Sequence, residues 1–180
     1  MNISVKVGIL SDTHGEVDQR IVDVISDCDF AIHAGDICGA HILESLKPRI
    51  DLIAVAGNND HATLWHEDEA EIVSALPRST QLSLPGGIII IEHGHRLGNQ
   101  PEHDQFRWDH AEAKLVVYGH THKRIIDQSA EPWVVNPGAA GKVRNHGGPS
   151  CLILHASEAG WEIETIVFAE TATVSNHKAA

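Results

Sequence analysis

The sequence lacks any long apolar segment. Its longest aliphatic run is four residues, Ile88 to Ile91, whereas a helix that crosses a bilayer needs about 20 apolar residues. The amino-terminal stretch carries Lys6 among its apolar residues and leads directly into Ser11-Asp12, unlike the uninterrupted apolar region of a signal peptide. We therefore expect no membrane span and no secretory leader.

Cysteine and basic residues are also scarce. The cysteines, Cys28, Cys38 and Cys151, are scattered and form no Cys-x-x-Cys pair, which argues against a disulfide framework or a thiolate zinc site and favours a cytoplasmic location. Thirteen Lys and Arg face 25 Asp and Glu, for a net charge of -12. The chain therefore repels a phosphate backbone except where bound cations reverse the local field, and we expect no long nucleic acid as a partner.

The chain contains enough apolar residues for one core. With 180 residues and 42% apolar content, it is predicted to form a single domain over residues 1–170. No internal repeat, low-complexity tract or linker interrupts this sequence. Residues 171–180 are predicted to form a disordered tail.

The order of apolar runs predicts an α/β fold. Strands alternate with helices in the amino-terminal half, as in a parallel sheet with helical crossovers, and Pro85-Gly86-Gly87 marks a hairpin turn. The carboxyl-terminal half is predicted to be mainly antiparallel. The predicted strands cover residues 5–10, 30–33, 52–56, 81–84, 88–92, 115–118, 124–128, 133–136, 151–155 and 161–168, and the predicted helices cover residues 17–26, 41–46 and 101–114.

Five short polar clusters are the most informative feature of the sequence. Four of them directly follow a run rich in Val, Ile and Leu, where α/β enzymes place ligands on loops at the carboxyl ends of strands. Each cluster alone would be an ordinary turn or helix cap, but their ordered recurrence indicates a metal site. The clusters are Asp12-Thr13-His14, Gly35-Asp36, Gly57-Asn58-Asn59-Asp60, His93-Gly94-His95 and Gly119-His120-Thr121-His122.

The side chains of these clusters suit a pair of transition-metal ions. Carboxylate, imidazole and amide donors without thiolate favour Mn, Fe, Co, Ni or Zn, and the number of histidines disfavours a pure Mg or Ca site. A carboxylate such as Asp36 can bridge two ions about 3.5 to 4 Å apart, where water is acidified towards hydroxide and phosphoryl oxygens are neutralised. The clusters thus predict a phosphate ester hydrolase without a serine or cysteine nucleophile.

The clusters resemble the calcineurin-like metallophosphoesterases, whose pattern is Asp-x-His, Gly-Asp, Gly-Asn-His-Asp/Glu, a lone His and Gly-His-x-His. The compact length and Asn136-Pro137-Gly138 look most like the small bacterial and archaeal phosphodiesterase branch. The resemblance implies a four-layer α/β/β/α sandwich of two mixed sheets and two divalent ions, with Mn first and Ni, Co, Fe or Zn as alternatives. It implies one ion bound by Asp12, His14, Asp36 and His122, and another bound by Asp36, Asn58, His93 and His120.

The chain departs from the family pattern at two positions. Asn59 stands where most members carry the histidine thought to protonate the leaving group, and an amide cannot act as a general acid. His61 or His95 could replace that donor, and His95 is also a candidate phosphate contact. Ala139 stands where the family usually has serine. We therefore expect Asn59 and His95 at the catalytic positions, and a preference for aryl leaving groups that depart without a proton.

These features predict a metal-dependent phosphodiesterase that hydrolyses a small soluble phosphate ester by attack of a metal-bridging hydroxide. The alternatives are a phosphomonoesterase, a nuclease, which the acidic charge disfavours, and a non-catalytic metal-binding scaffold like the retromer cargo-recognition subunit. Homo-oligomerisation stays open. The other histidines are expected at the surface or in the core. Lys142 and Arg144 bring positive charge either to a substrate mouth or, as the simpler interpretation, to a solvated loop.

Overall fold

Two five-stranded sheets form the centre of the computed structural model, which describes residues 4–170. The predicted disordered tail, residues 171–180, lies outside the described residues. The strands are β1 (Val5–Leu10), β2 (Phe30–His33), β3 (Asp51–Ala54), β4 (Ser79–Leu84), β5 (Gly87–Glu92), β6 (Leu115–Val117), β7 (Ile125–Asp127), β8 (Trp133–Asn136), β9 (Ser150–Ser157) and β10 (Gly160–Val167). The helices are α1 (Gln19–Ser26), α2 (Ala40–Ser45), α3 (Ala70–Ala75) and α4 (His103–Asp109), with 3₁₀ turns at Glu67–Glu69 and His95–Leu97.

The first sheet has the strand order β10-β9-β1-β2-β3. β1, β2 and β3 run parallel because α1 and α2 cross over between them, while β9 pairs antiparallel with both β1 and β10. Leu10 pairs with His33, and His33 pairs with Ala54, so the three parallel strands end level. The loops that follow them therefore begin at one edge of the sheet.

The second sheet has the strand order β4-β5-β6-β8-β7. β4 and β5 form the predicted hairpin. The mainly antiparallel pairing predicted for the carboxyl-terminal half is found for β7 with β8 and for β9 with β10, and β6 is the exception, because it runs parallel to both β5 and β8. The α4 crossover lets β6 run parallel to β5. β7 lies between β6 and β8 in the chain and runs antiparallel to β8, so β8 returns to the direction of β6.

The two sheets pack face to face over buried aliphatic side chains that include Val7, Ile9, Ile91, Leu115 and Leu152. A second apolar cluster packs α1, α2 and α3 against the first sheet, and a third packs α4 against the second sheet. This is the expected four-layer α/β/β/α sandwich, a rigid base for the loops at its edge. Every helix in residues 4–170 is too short or too polar to span a bilayer.

The loops of the two sheets approach closely where β1, β2 and β6 end. A Cβ atom at Gly119, two residues after β6, would collide with the side chain of Ser11, which follows β1. A Cβ atom at Gly57 would collide with the carboxylate of Asp36. Only glycine permits such close contacts, and as a result the polar clusters from both sheets face one another.

A buried carboxylate joins the loops that follow β2 and β3. Asp60 is 7% exposed. Its oxygens accept hydrogen bonds from the backbone N–H groups of Ile37 at 3.0 Å, Cys38 at 2.9 Å and Gly57 at 2.8 Å, and from the indole of Trp65 at 3.0 Å. Hydrogen bonds to an ionised acceptor are roughly twice as strong as neutral ones. Asp60 therefore holds the two loops in a fixed relation.

We predict that Asp60→Asn destabilises the protein by roughly 2–4 kcal/mol, because an amide cannot accept from all four donors and leaves buried N–H groups unpaired. Urea unfolding followed by circular dichroism measures the free energy of unfolding. Asp68→Asn is the matched control, since the Asp68 side chain is 86% exposed. Its replacement should change the free energy of unfolding by less than about 0.5 kcal/mol. Equal stability of the two variants would contradict the structural role of Asp60.

Candidate metal centre

The loops that carry the polar clusters are held in a strained backbone conformation. Among the described residues, eight non-glycine residues have a positive φ, and five of these are predicted metal ligands. A left-handed residue costs about 1–2 kcal/mol, and such strain concentrates at functional sites. The five are Asp12 (φ 55°), His14 (47°), Asp36 (54°), His120 (66°) and His122 (59°).

Asp12, His14 and His122 form a first group of side chains that could hold a cation, with ligand atoms within 4.8 Å of one another. His14 Nε2 lies 3.1 Å from His122 Nε2, which lies 3.4 Å from Asp12 Oδ1. His122 Nδ1 donates to the Val143 carbonyl at 2.8 Å. In the neutral ring, Nε2 of His122 therefore carries the lone pair that a metal requires.

Asp12, Asp36 and His93 form a second group. His93 Nε2 lies 3.4 Å from Asp36 Oδ2 and 4.0 Å from Asp12 Oδ1, and His93 Nδ1 donates to the Ala34 carbonyl at 2.8 Å. Asp36 Oδ2 also lies 3.6 Å from His14 Nε2. Asp36 thus stands between a histidine of each group, while Asp12 is the carboxylate that belongs to both groups; the bridging role of Asp36 stays a prediction.

His120 and Asn58 lie at the margin of these groups. The His120 ring packs edge-on against His93, with 5.3 Å between ring centres, and its backbone N–H donates to Asp12 at 3.1 Å. Asn58 is exposed, and the hydrogen bonds of residues 4–170 include none from its side chain. The structure brings the other five predicted ligands together in the two groups, and metal binding by each of the seven stays a prediction.

The two residues predicted at catalytic positions, Asn59 and His95, flank the second group. The Asn59 backbone N–H donates to Asp36 Oδ1 at 2.8 Å, and its side-chain amide donates to Oδ2 at 2.7 Å. The ring centre of His95 lies 5.5 Å from that of His93, whereas His61 is exposed. Asn59 therefore orients the carboxylate of Asp36, a contact that the sequence did not predict.

Several buried atoms of the centre lack the partners that such atoms require. Asp12 Oδ2, His93 Nε2 and His95 Nδ1 are buried and have no hydrogen-bond partner among the described residues. Asp12 is 0% exposed and His93 is 1% exposed. Because unpaired buried polar atoms are costly, atoms of this kind fit a coordinated cation. The carboxylate and imidazole donors suit Mn, Fe, Co, Ni or Zn.

The two buried carboxylates differ in acidity. Burial raises the pKa of Asp12 to about 7. Burial also acts to raise the pKa of Asp36, but the adjacent imidazole of His93 and the hydrogen bonds from Asn59 outweigh it and hold that pKa well below its ordinary value. Asp36 is consequently ionised, the form that binds a cation.

Three of the four histidines predicted as ligands favour the neutral form; His93 is the exception, because its carboxylate neighbours Asp36 and Asp12 outweigh burial and raise its pKa. Burial lowers the pKa of His122 to about 4, and the charge of Arg144 acts in the same direction. Burial likewise lowers the pKa of His14 and of His120. A neutral imidazole is the form that offers a lone pair to a metal.

A chain of buried hydrogen bonds through His33 and Thr13 supports the metal centre. The Gly35 N–H donates to His33 Nδ1 at 3.3 Å, so His33 Nε2 carries the proton and donates to Thr13 Oγ1 at 3.0 Å. The Thr13 hydroxyl then donates to the Ile37 carbonyl at 3.1 Å. His33 is fully buried, within the surface or core placement expected of it. This supporting role was not predicted from the sequence, where its only signal is a histidine at the end of an apolar run.

Known proteins similar to this chain include two archaeal proteins and one solved structure. A probable metallophosphoesterase of Methanocaldococcus jannaschii is 29% identical over 138 residues, which cover 74% of this chain and 67% of that protein. A phosphodiesterase of the same organism is 25% identical over 142 residues, which cover 74% of this chain and 82% of that protein. The solved structure of vacuolar protein sorting 29 from Cryptosporidium parvum has a TM-score of 0.70 and 16% identity, covering 93% of this chain and 99% of that one. This last likeness shows the fold alone.

A family model provides the broadest match. The calcineurin-like phosphoesterase superfamily domain matches residues 5–159, a range that includes all five polar clusters and both sheets up to β9. The fold, the clustered ligands and this match agree with the resemblance seen in the sequence. The chain belongs to the calcineurin-like phosphoesterase superfamily.

Proposed function

We propose that the protein is a metal-dependent phosphodiesterase that hydrolyses a small soluble phosphate ester in the cytoplasm. The observation that carries the proposal is the pair of overlapping carboxylate and imidazole groups at the sheet edge, in which buried ligand atoms have no protein partner among the described residues. Family membership and the relative named as a phosphodiesterase support this reaction class. The net charge of -12 favours a small ester over a long nucleic acid.

Two divalent transition-metal ions are the proposed cofactors, with Mn first and Ni, Co, Fe or Zn as alternatives. Ions of this kind supply a nucleophile from water at neutral pH and neutralise charge on the phosphoryl oxygens. Asp36 would be shared between the two sites. The first would consist of Asp12, His14, Asp36 and His122, and the second of Asp36, Asn58, His93 and His120.

The chain's own groups hold the proposed ligands in place. The carbonyls of Ala34 and Val143 orient His93 and His122, and Asn59 contacts both oxygens of Asp36. Loss of such supporting contacts typically weakens metal binding or activity by about 10- to 100-fold. Asn59 thus has a positioning role, and it has no proton to give to a leaving group as an acid.

A cavity of about 340 Å³ opens beside the centre, and His93 and His95 belong to its lining. Glu92, also in the lining, is paired with Arg96 at 3.0 Å and with His110 at 3.0 Å, so its charge is balanced within the wall. Ligand pockets range from about 300 to 1,000 Å³. A cavity of this size can hold one organic substituent of a small phosphate ester.

A non-catalytic metal-binding scaffold is the second candidate, favoured by the shared fold with vacuolar protein sorting 29. A phosphomonoesterase is the alternative within the enzyme class. A screen of aryl phosphodiesters and monoesters with Mn, Ni, Co and Zn separates the three. Diester turnover supports the proposal, turnover of monoesters alone supports the phosphomonoesterase, and metal uptake without any turnover supports the scaffold.

Asp36→Asn should abolish hydrolysis of aryl phosphodiesters and weaken metal binding by more than about 100-fold, because the neutral amide is a poor ligand at a position shared by both sites. Metal content after dialysis and the hydrolysis rate measure the two effects. Asp68→Asn serves again as the exposed control and should keep both properties. A folded Asp36→Asn protein that keeps its metal and its activity would refute the assignment.

We also predict a preference for leaving groups that depart without a proton, because Asn59 occupies the position of the family's acid. Phenolic esters, whose leaving groups have a pKa near ~10, should be hydrolysed faster than alkyl esters. Compared with Asn59→Ala, which also lacks the amide contact with Asp36, Asn59→His should hydrolyse the alkyl ester about 10²-fold faster or more and narrow the gap between the two esters. Steady-state rates on matched phenyl and ethyl diesters test this.

Asn59→Ala provides the control for the same experiment. It removes the amide contact with Asp36 without adding an acid, so it should slow both diesters by a similar factor. Equal rates of the wild-type protein on the phenyl and ethyl diesters would contradict the predicted preference for leaving groups that depart without a proton.

A further inference from the structure

The loop of residues 141–149 packs against the first group of the metal centre. A Cβ atom at Gly141 would strike the backbone of Thr13, which shows how close the loop lies to the Asp12–His14 segment. Farther along the loop, Asn145 is 6% exposed, and its amide donates to the Gly141 carbonyl at 3.3 Å. Arg124 donates to the Gly148 carbonyl at 3.3 Å. The first of these hydrogen bonds lies within the loop, and the second joins the loop to the residue that precedes β7. Both hold the loop in place.

Two consecutive residues of this loop contact both nitrogens of one imidazole. The Val143 carbonyl accepts from His122 Nδ1 at 2.8 Å. Arg144 has a left-handed backbone, with φ of 49°, and its guanidinium lies 3.3 Å from His122 Nε2. Because Nδ1 carries the proton, Nε2 is the acceptor, and the guanidinium can only donate.

A metal ion would require the same lone pair. His122 Nε2 cannot both accept a hydrogen bond from Arg144 and coordinate a cation, so metal uptake must displace the guanidinium. Displacement is sterically easy because Arg144 is exposed. No carboxylate among residues 4–170 forms a salt bridge with Arg144, whereas the neighbouring Lys142 is paired with Glu16.

We propose that Arg144, once displaced from His122 by the metal, binds a phosphoryl oxygen of the substrate. A guanidinium matches phosphate geometry through two parallel donors. Its positive charge stands beside His122 in a chain whose net charge is -12, so it attracts an anionic ester to this place. The inference rests on the proposed function and assigns Arg144 as a substrate-binding residue coupled to the metal.

Metal binding tests the first half of the coupling. Isothermal titration of the metal-free protein with Mn should show that Arg144→Ala binds the ion about 3- to 10-fold more tightly than wild type, because a competing hydrogen bond and a nearby positive charge are both removed. Lys142→Ala, which removes the adjacent cation of the same loop, should leave the Mn affinity unchanged.

Phosphate binding tests the second half. Inorganic phosphate titrated into the Mn-loaded protein should bind about 10-fold or more weakly to Arg144→Ala, since a charge-assisted contact is lost. Arg144→Lys should recover part of the affinity, because it keeps the charge without the planar fork. Lys142→Ala should again match wild type. Thermal unfolding verifies that each variant is folded.

The outcomes separate this inference from the proposed function. If Arg144→Ala binds Mn no more tightly than wild type, or binds phosphate within about 2-fold of wild type, the inference is overturned while the enzyme assignment stands. If the wild-type protein binds Mn and phosphate but hydrolyses no ester, the proposed function fails. The inference about Arg144 is then still tested by comparing the phosphate affinities of Arg144→Ala and the wild-type protein. A wild-type protein that takes up none of Mn, Ni, Co, Fe and Zn overturns both.

Discussion

The architecture of the centre depends on keeping one carboxylate, Asp36, ionised inside the protein. Burial opposes this charge, and only nearby donors compensate for the lost water. Asn59 supplies two hydrogen bonds and His93 supplies an adjacent imidazole. Gly57 follows from the same constraint, because any side chain there would occupy the place of the Asp36 carboxylate. The left-handed backbone at Asp36 presents that carboxylate to loops of both sheets.

Strain and support are divided between different parts of the molecule. The sandwich buries aliphatic side chains and leaves the strand ends level, whereas the loops carry the left-handed residues. Strained residues persist only where their surroundings over-determine them. Asp60 and the His33–Thr13 chain provide these surroundings, and neither belongs to the predicted metal ligands.

The sequence predicts the parts of the fold that are decided locally. β1, β2 and β8 match their predicted bounds to the residue, since each is an apolar run between polar or turn residues. The parallel pairing of β6 was not predictable from periodicity, because the choice of partner is made by packing between distant segments. The same contrast holds in the centre. Aspartates and histidines at the ends of strands indicate a metal site. The hydrogen bond of His122 to the Val143 carbonyl and the contact of Asn59 with Asp36 depend instead on loop conformation.

His33 gives the centre an inherent sensitivity to acid. Burial lowers its pKa from 6.5 to about 4, so the folded protein keeps this imidazole neutral where an unfolded chain would protonate it. Between those two values the unfolded state binds the additional proton, and stability is therefore lost as the pH falls from about 6.5 towards 4. Protonation of the ring would also leave Nδ1 unable to accept from Gly35. Acidification towards pH 4 therefore weakens the hydrogen-bonded support of the predicted ligands.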